Sequence, residues 1–553
     1  MGQGLRIELS SGHGSGGDVP LPAVKQSARA REGSWAGEAE PSVLRAESRL
    51  DHKQLIGEGK AQASRSWEPE PGKKLWAWRK PHLVLMAFLV SGTLWASAQL
   101  ADAWDSLGRK GKYSVQGSRV ALVLSSPGVS ATAAAALDGV SQALGFETCE
   151  KRVVPVQSFL EELRVFREQL DVRRAAVGCA LVVLMAPSGQ LRQPQLLVKE
   201  LSHCGALQGR PKIFLLLLSS GLKSREPAAF LAALGEICSQ HPHWSLLQLL
   251  TELFCRVAEE AAGNTHCPVF RTSLRGSLCL GAMDPWRPES DPGPRAQYDL
   301  SGTRAALLLA VTQDRPGAQH DVAALRDLCQ ALGFKVTLRT DPSAQAFWEE
   351  LVQFREKLDT HKEPVSCALV ALMAHGGPQG QLLGADGREV QPELLVGELS
   401  CCRALRGCPK IFLLQACRGE NRDPGVGPRA LPWYWRWLRA PPVLPTHADV
   451  LQVHADFSGS SSSTPGSSGQ ADILTVYAAA EGCVAYRDEK GSDFVQTLVE
   501  VIRANAGGDL LELLTEVNRR VCELDVLGPD SEELRKACLE IRSSLRRGLR
   551  LKD

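Results

Sequence analysis

Ser366–Ala374 (SCALVALMA) and Pro409–Leu414 (PKIFLL) repeat, almost letter for letter, Gly178–Ala186 (GCALVVLMA) and Pro211–Leu216 (PKIFLL). Continuous apolar runs of this length predict buried strands of a parallel sheet. Tyr298–Ala310 (YDLSGTRAALLLA) matches Tyr113–Leu124 (YSVQGSRVALVL), and ALGF occurs at both 143–146 and 331–334. Further on, Phe230–Leu253 aligns without a gap on Phe494–Val517, and Phe270–Leu278 (FRTSLRGSL) on Ile541–Leu549 (IRSSLRRGL). Shared order over this length is a duplication. Amphipathic stretches such as Val322–Leu332 and Gln345–Leu358 alternate with the runs and read as helices. Strand and helix in alternation predict an α/β fold, with a mostly parallel sheet flanked by helices, in two tandem copies.

Composition bounds the function. The chain has 553 residues, 44% hydrophobic and 23% charged, an ordinary balance for folded domains. Lys+Arg 63 against Asp+Glu 62 leaves a net charge of +1, which argues against a nucleic-acid partner. The sixteen cysteines contain no CxxC pair, so no metal site or redox motif is expected, and reduced thiols in the cytoplasm are the simpler reading. No GxxxxGK[ST] loop occurs and no cofactor is expected.

The expected organisation is a disordered region over 1–72, a basic-apolar segment over 73–104, a degenerate copy over 112–280, a linker over 281–297 and an intact copy over 298–553. Within 73–104, Lys73, Lys74, Arg79 and Lys80 precede an uncharged run from Leu83 to Ala101. That run reads either as a single membrane span or as a buried or partner-bound segment of a cytoplasmic protein.

Active residues of such sheets sit beyond the carboxyl ends of strands. His375 ends one strand of the second copy, and Cys417 ends another, inside Gln415-Ala416-Cys417-Arg418-Gly419. A thiol and an imidazole on one edge make a nucleophile–base pair. The N–H groups of Gly376 and Cys417 are placed to steady the oxyanion of a tetrahedral intermediate. In the first copy Pro187 stands for His375, Ser219 for Cys417 and Leu217 for Gln415, so that copy has no chemistry. Arg119 stands for Arg304.

QACRG with a histidine upstream is a pattern match to a known peptidase signature. Together with QACRGENRDPG (415–425), EGCVAYRDEKGSDFVQTLVEV (481–501) and LLELLTEVNRRV (510–521), it makes residues 298–553 resemble the caspases. The resemblance implies a cysteine endopeptidase cleaving protein substrates after aspartate. It implies that two arginines and a glutamine hold the substrate carboxylate, here Arg304, Gln415 and Arg487. Tyr486 stands where many members have tryptophan.

The resemblance also implies a large part (298–425), a small part (472–553) and maturation by cleavage in a linker over 426–471. That linker holds GSSSSTPGSSG (459–469), with Asp449, Asp456 and Asp472 as candidate cleavage points. It holds the run 433–437 (WYWRW) as well. Members of the family pair through the last strand of the small part. A homodimer, or pairing of the two copies within one chain, is therefore expected. The alternative to an enzyme is a non-catalytic scaffold acting through protein–protein binding.

Overall fold

The repeated apolar runs fold as strands, and the amphipathic stretches between them as covering helices. The computed structural model describes Leu107 and residues 111–127, 129–173, 175–191, 193–219, 226–260, 267–281, 296–377, 379–426, 443–457, 471–528 and 531–552. The region 1–72, the apolar run 83–101 and the aromatic run 433–437 lie outside the described residues. Among the described residues, no helix is long and apolar enough to cross a membrane.

The first copy supplies β1 (Ser118–Ser125), α1 (Ala131–Ala143), β2 (Phe146–Arg152), α2 (Phe159–Val172), β3 (Val177–Pro187), α3 (Pro194–Ser202), β4 (Lys212–Ser219), α4 (Glu226–Gln240), α5 (Leu246–Glu260) and β5 (Val269–Thr272). The second begins with β6 (Thr303–Ala310), α6 (Ala318–Ala331), β7 (Phe334–Thr340), α7 (Ala344–Asp359) and β8 (Val365–Met373). A small ribbon of β9 (His375–Gly376), β10 (Leu382–Leu383) and β11 (Glu389–Val390) follows, then α8 (Pro392–Ser400) and β12 (Lys410–Gln415). After β13 (Val450–Phe457) and β14 (Ile473–Tyr477) come the hairpin β15 (Arg487–Asp488) and β16 (Gly491–Ser492), then α9 (Asp493–Ala504) and α10 (Leu510–Glu523). The chain closes with β17 (Val526–Gly528), β18 (Ser531–Arg535) and β19 (Glu540–Ser543). Helix starts are capped as their sequences suggest: Ser343 accepts from the Ala346 N–H, Ser492 from Val495, and Asp509 from Leu511 and Glu512.

Twelve strands form one continuous sheet, in the order β2-β1-β3-β4-β13-β5-β19-β14-β12-β8-β6-β7. Pairing is parallel within each arm and antiparallel across β13–β5, β5–β19 and β19–β14. The strands of the two arms therefore run in opposite directions, and their carboxyl ends face opposite edges. One broad core lies under α1, α4, α5, α6, α9 and α10 and spans both copies. On the other face, α2 and α3 cover the first arm, and α7 and α8 the second. The copies thus share a sheet and a core. Asn518 of α10 reaches across, donating to the carbonyls of Ser273 and Leu274.

The stretch 426–471 differs from the expected flexible linker. Residues 443–457 are ordered, and β13 lies inside the sheet between β4 and β5. The physical reason is alternation: Leu451, Val453, Ala455 and Phe457 are all buried. Asp449 and Asp472, expected as cleavage points, are each 2% exposed. The Asp449 carboxylate accepts from Arg275 Nε at 2.8 Å and Nη2 at 3.0 Å, and from the Tyr113 hydroxyl at 2.5 Å. Asp472 repeats the arrangement with Arg546 and Tyr298. Burial works to raise the Asp449 carboxyl, but Arg275 and Lys212 outweigh it and hold the group below the usual carboxylate range.

Breaking a buried ion pair by removing one charge strands the other. Asp449→Asn and Asp472→Asn are each expected to lower unfolding stability by about 3 kcal/mol in urea titrations. Asp488→Asn, exposed on its hairpin, is expected to cost less than about 0.5 kcal/mol.

Candidate active site

β8 and β12 are parallel neighbours, with Met373 opposite Gln415. The chain leaving each strand therefore emerges at the same edge. The Ala374 N–H donates to the Gln415 carbonyl at 3.2 Å, extending the pairing by one residue. His375 and Cys417 follow at once. Gly376 presses against the main chain of Cys417, so that a Cβ there would overlap the Cys417 carbonyl. Only glycine lets the histidine loop lie this close. The imidazole is exposed and the thiol half-buried, with Sγ 3.7 Å from the Ala485 carbonyl. The Cys417 N–H has no acceptor among the described residues.

Two guanidinium groups complete the edge. Arg315, on the loop between β6 and α6, is 4% exposed. Its Nη1 donates to the Val311 carbonyl at 2.6 Å and its Nη2 to the Gln415 carbonyl at 3.3 Å. Burial, then the charge of Arg487, pulls Arg315 down to about 10. Arg487 opens β15, and its Nε donates to the Pro316 carbonyl at 2.7 Å. Gly317 (φ 76°) fastens the two segments together, because a side chain there would meet the Asp488 carbonyl. Buried Asp321 accepts from the Ser492 N–H and from Gln496 Nε2, just behind them. The two cations therefore act on the edge together with the Asp321 and Asp314 carboxylates. Arg315 Nε and Gln415 Oε1 are buried without a hydrogen-bond partner among the described residues.

This environment acts on His375. Burial first, then Arg315 and Arg487, lower its pKa below the ordinary 6.5. The imidazole is therefore neutral near pH 7 and free to accept a proton. Behind the nucleophile, Arg418 donates to Glu540 at 2.7 Å and lies over the Tyr477 ring, 4.1 Å from its centroid.

Arg304 does not join this group. It lies at the start of β6, opposite Phe334 and Cys367, at the other end of the strands. Its guanidinium donates to the carbonyls of Leu300, Leu332 and Leu551. Arg119 does the same in the first copy, donating to Leu144 and Leu280. Arg304 is thus a brace shared by both copies, and the expectation that it binds substrate is corrected. The guanidinium that does lie at this edge is that of Arg315, which motif matching alone does not single out. A usable signal existed. The matching loop of the first copy, Ser126–Ser130 (SPGVS), is shorter and has no arginine.

A family model described as the caspase domain matches residues 303–547. Caspase-14 of Homo sapiens is 41% identical over 260 residues, covering 46% of this chain and 96% of that protein. Caspase-14 of Mus musculus is 38% identical over 271 residues, covering 47% and 98%. Caspase-6 of Bos taurus is 30% identical over 244 residues, covering 42% and 77%. The chain belongs to the caspase family. It is a caspase-type cysteine protease, and the matched stretch is the second copy.

The other copy of this caspase keeps the scaffold without the groups. Pro187 and Ser219 face each other in register at the end of β3 and β4. The cleft there is lined by Ser126, Val129, Met185, Pro187, Leu217 and Ser219, with no ionisable side chain. Tyr486 flanks Arg487 with its hydroxyl buried and unpartnered among the described residues.

If the arginines depress His375, removing one must raise it. In NMR titrations of the histidine-labelled chain, His375 is expected to titrate below 6.5, and Arg487→Gln to move the midpoint upward. An unchanged midpoint would show that Arg487 does not contribute to the depression.

Proposed function

We propose that residues 298–553 hydrolyse peptide bonds on the carboxyl side of aspartate. Cys417 Sγ attacks the scissile carbonyl and His375 takes up the thiol proton. The N–H groups of Gly376 and Cys417 hold the oxyanion, and His375 then protonates the leaving amine. The thioester formed on Cys417 is hydrolysed by water activated by the same imidazole, which frees the acid and restores the thiol. Arg315 and Arg487, with Gln415, hold the substrate carboxylate.

The observation that carries this reading is the convergence of Cys417, His375, Arg315 and Arg487 at one strand edge. A buried guanidinium group, Arg315, and a half-buried one, Arg487, with the Asp321 carboxylate behind them, favour an incoming anion. A neutral side chain would leave a cation buried and unpaired, at a cost of about 3–5 kcal/mol. That difference supports selection of aspartate over alanine by more than about a hundredfold.

The test is cleavage of fluorogenic peptides ending in Asp, Glu or Ala by the full chain, with Cys417→Ala beside it. Turnover of the Asp peptide alone, abolished in Cys417→Ala, is the expected result. Equal turnover of the Ala peptide would overturn the pocket, and no turnover by the folded chain would favour the binding scaffold. Arg315→Gln is expected to lower kcat/KM for the Asp peptide by about a hundredfold or more, and Arg304→Gln to leave KM within about twofold while lowering the melting temperature.

A further inference from the structure

The first copy lacks a strand of its own. In the second copy, β12 is followed in the sheet by β14 and then β19; in the first, β4 and β5 frame a position that no residue of 112–280 occupies. That position holds β13, which belongs to the second copy's linker. The two strands match in sequence, Ala448–Ala455 (ADVLQVHA) against Ala471–Ala478 (ADILTVYA). They match in detail as well. The Lys212 N–H donates to the Asp449 carbonyl at 2.8 Å, and Lys410 to Asp472 at 2.9 Å. The N–H of Ser273 donates to Val450 at 2.8 Å, and that of Ser544 to Ile473 at 2.9 Å. Asp449 (φ 64°) and Asp472 (φ 62°) share a left-handed backbone, which few residue types tolerate and aspartate does better than most.

We infer that Val450–Phe457 is a strand donated to the inactive copy, and that it locks the two copies into a permanent pair that acts uncut and needs no second chain. Three observations bear on this. β13 is a central strand, paired with β4 over eight residues and with β5 over four. β19, through which a second copy would pair, already carries β5, joined at Ile541–Thr272, Arg542–Arg271 and Ser543–Phe270. The third concerns cleavage. The stretch 421–472 contains four aspartates, Asp423, Asp449, Asp456 and Asp472. Asp423 is 7% exposed and bound to Thr446 and to the Gly425 N–H. Asp449 and Asp472 are locked by their arginines. Asp456 sits within β13 opposite Leu218 and accepts from the Ser188 hydroxyl at 2.6 Å. A peptidase needs an extended, accessible segment, and none of the four offers one while the sheet is intact. That the pair acts uncut rests on the protease reading; that the pair exists does not.

The full chain is the test. Intact mass, light scattering over about a hundredfold dilution and hydrogen exchange are measured on one preparation. The expected result is an uncut monomer throughout, with β13 amides as protected as those of β14, and turnover of the Asp peptide in proportion to concentration. A dimer, rapid exchange in β13, or turnover that appears only after a cut at Asp449, Asp456 or Asp472 would overturn the inference. An uncut, protected monomer without turnover upholds the pairing and removes the protease reading. Arg275→Met, which unseats Asp449, is expected to speed exchange in β4, β5 and β13 and spare β8 and β12. If that variant does not fold, the exchange pattern of the unmodified chain still decides.

Discussion

Asp449 and Asp472 sit where water does not reach, and a buried carboxylate must be met by a cation and by hydrogen-bond donors. Arg275 and Tyr113 meet one, Arg546 and Tyr298 the other. Because the arginine of each lock lies just past the last strand of its copy, each lock sets where that strand stops. The two last strands, β5 and β19, then lie side by side and become the middle of the sheet. Without the Asp449 lock β5 would have no fixed neighbour on its outer side, and the second copy would pair with an unstable edge.

The same economy of charge governs the candidate site. A cysteine peptidase needs a base that is neutral at working pH, and it needs cations to receive an acidic side chain. On the proposed reading, one set of groups serves both ends. Arg315 and Arg487 stand near Asp321, and burial first, then their charges, depress His375. On the proposed reading, the arrival of a substrate carboxylate would cancel part of that positive charge. The imidazole then becomes a better proton acceptor at the moment when the thiol must be activated.

The duplicated strand–helix pattern, the parallel arms and the placement of His375 and Cys417 on one edge were legible from apolar runs and from where they end. Strand ends are local, so sequence carries them well. Arg304 was misread because an arginine one residue into a strand looks like a neighbour of the site when only order is considered. A parallel strand has two ends, and His375 and Cys417 lie at the other one. Comparison of the copies resolves this: Arg119 persists in the copy that lacks the His375 and Cys417 counterparts, which marks a brace, whereas Arg315 has no counterpart there. β13 was hidden for a different reason. Its partners are distant in sequence, Arg275–Asp449 being 174 residues apart and Tyr113–Asp449 336, and a serine-rich tract beside it drew the whole stretch toward a linker.

That separation has a consequence for how the chain is made. During synthesis the first copy leaves the ribosome with a gap between β4 and β5, and the residues that fill it are translated only after most of the second copy. At ordinary elongation rates the gap stays open for roughly 10 s or more. Until then β4 presents an unpaired apolar edge (Ile213, Leu215 and Leu217 are all buried in the finished sheet). An edge of this kind is what chaperones engage in general, and the native state here is reached late, through contacts of very high order.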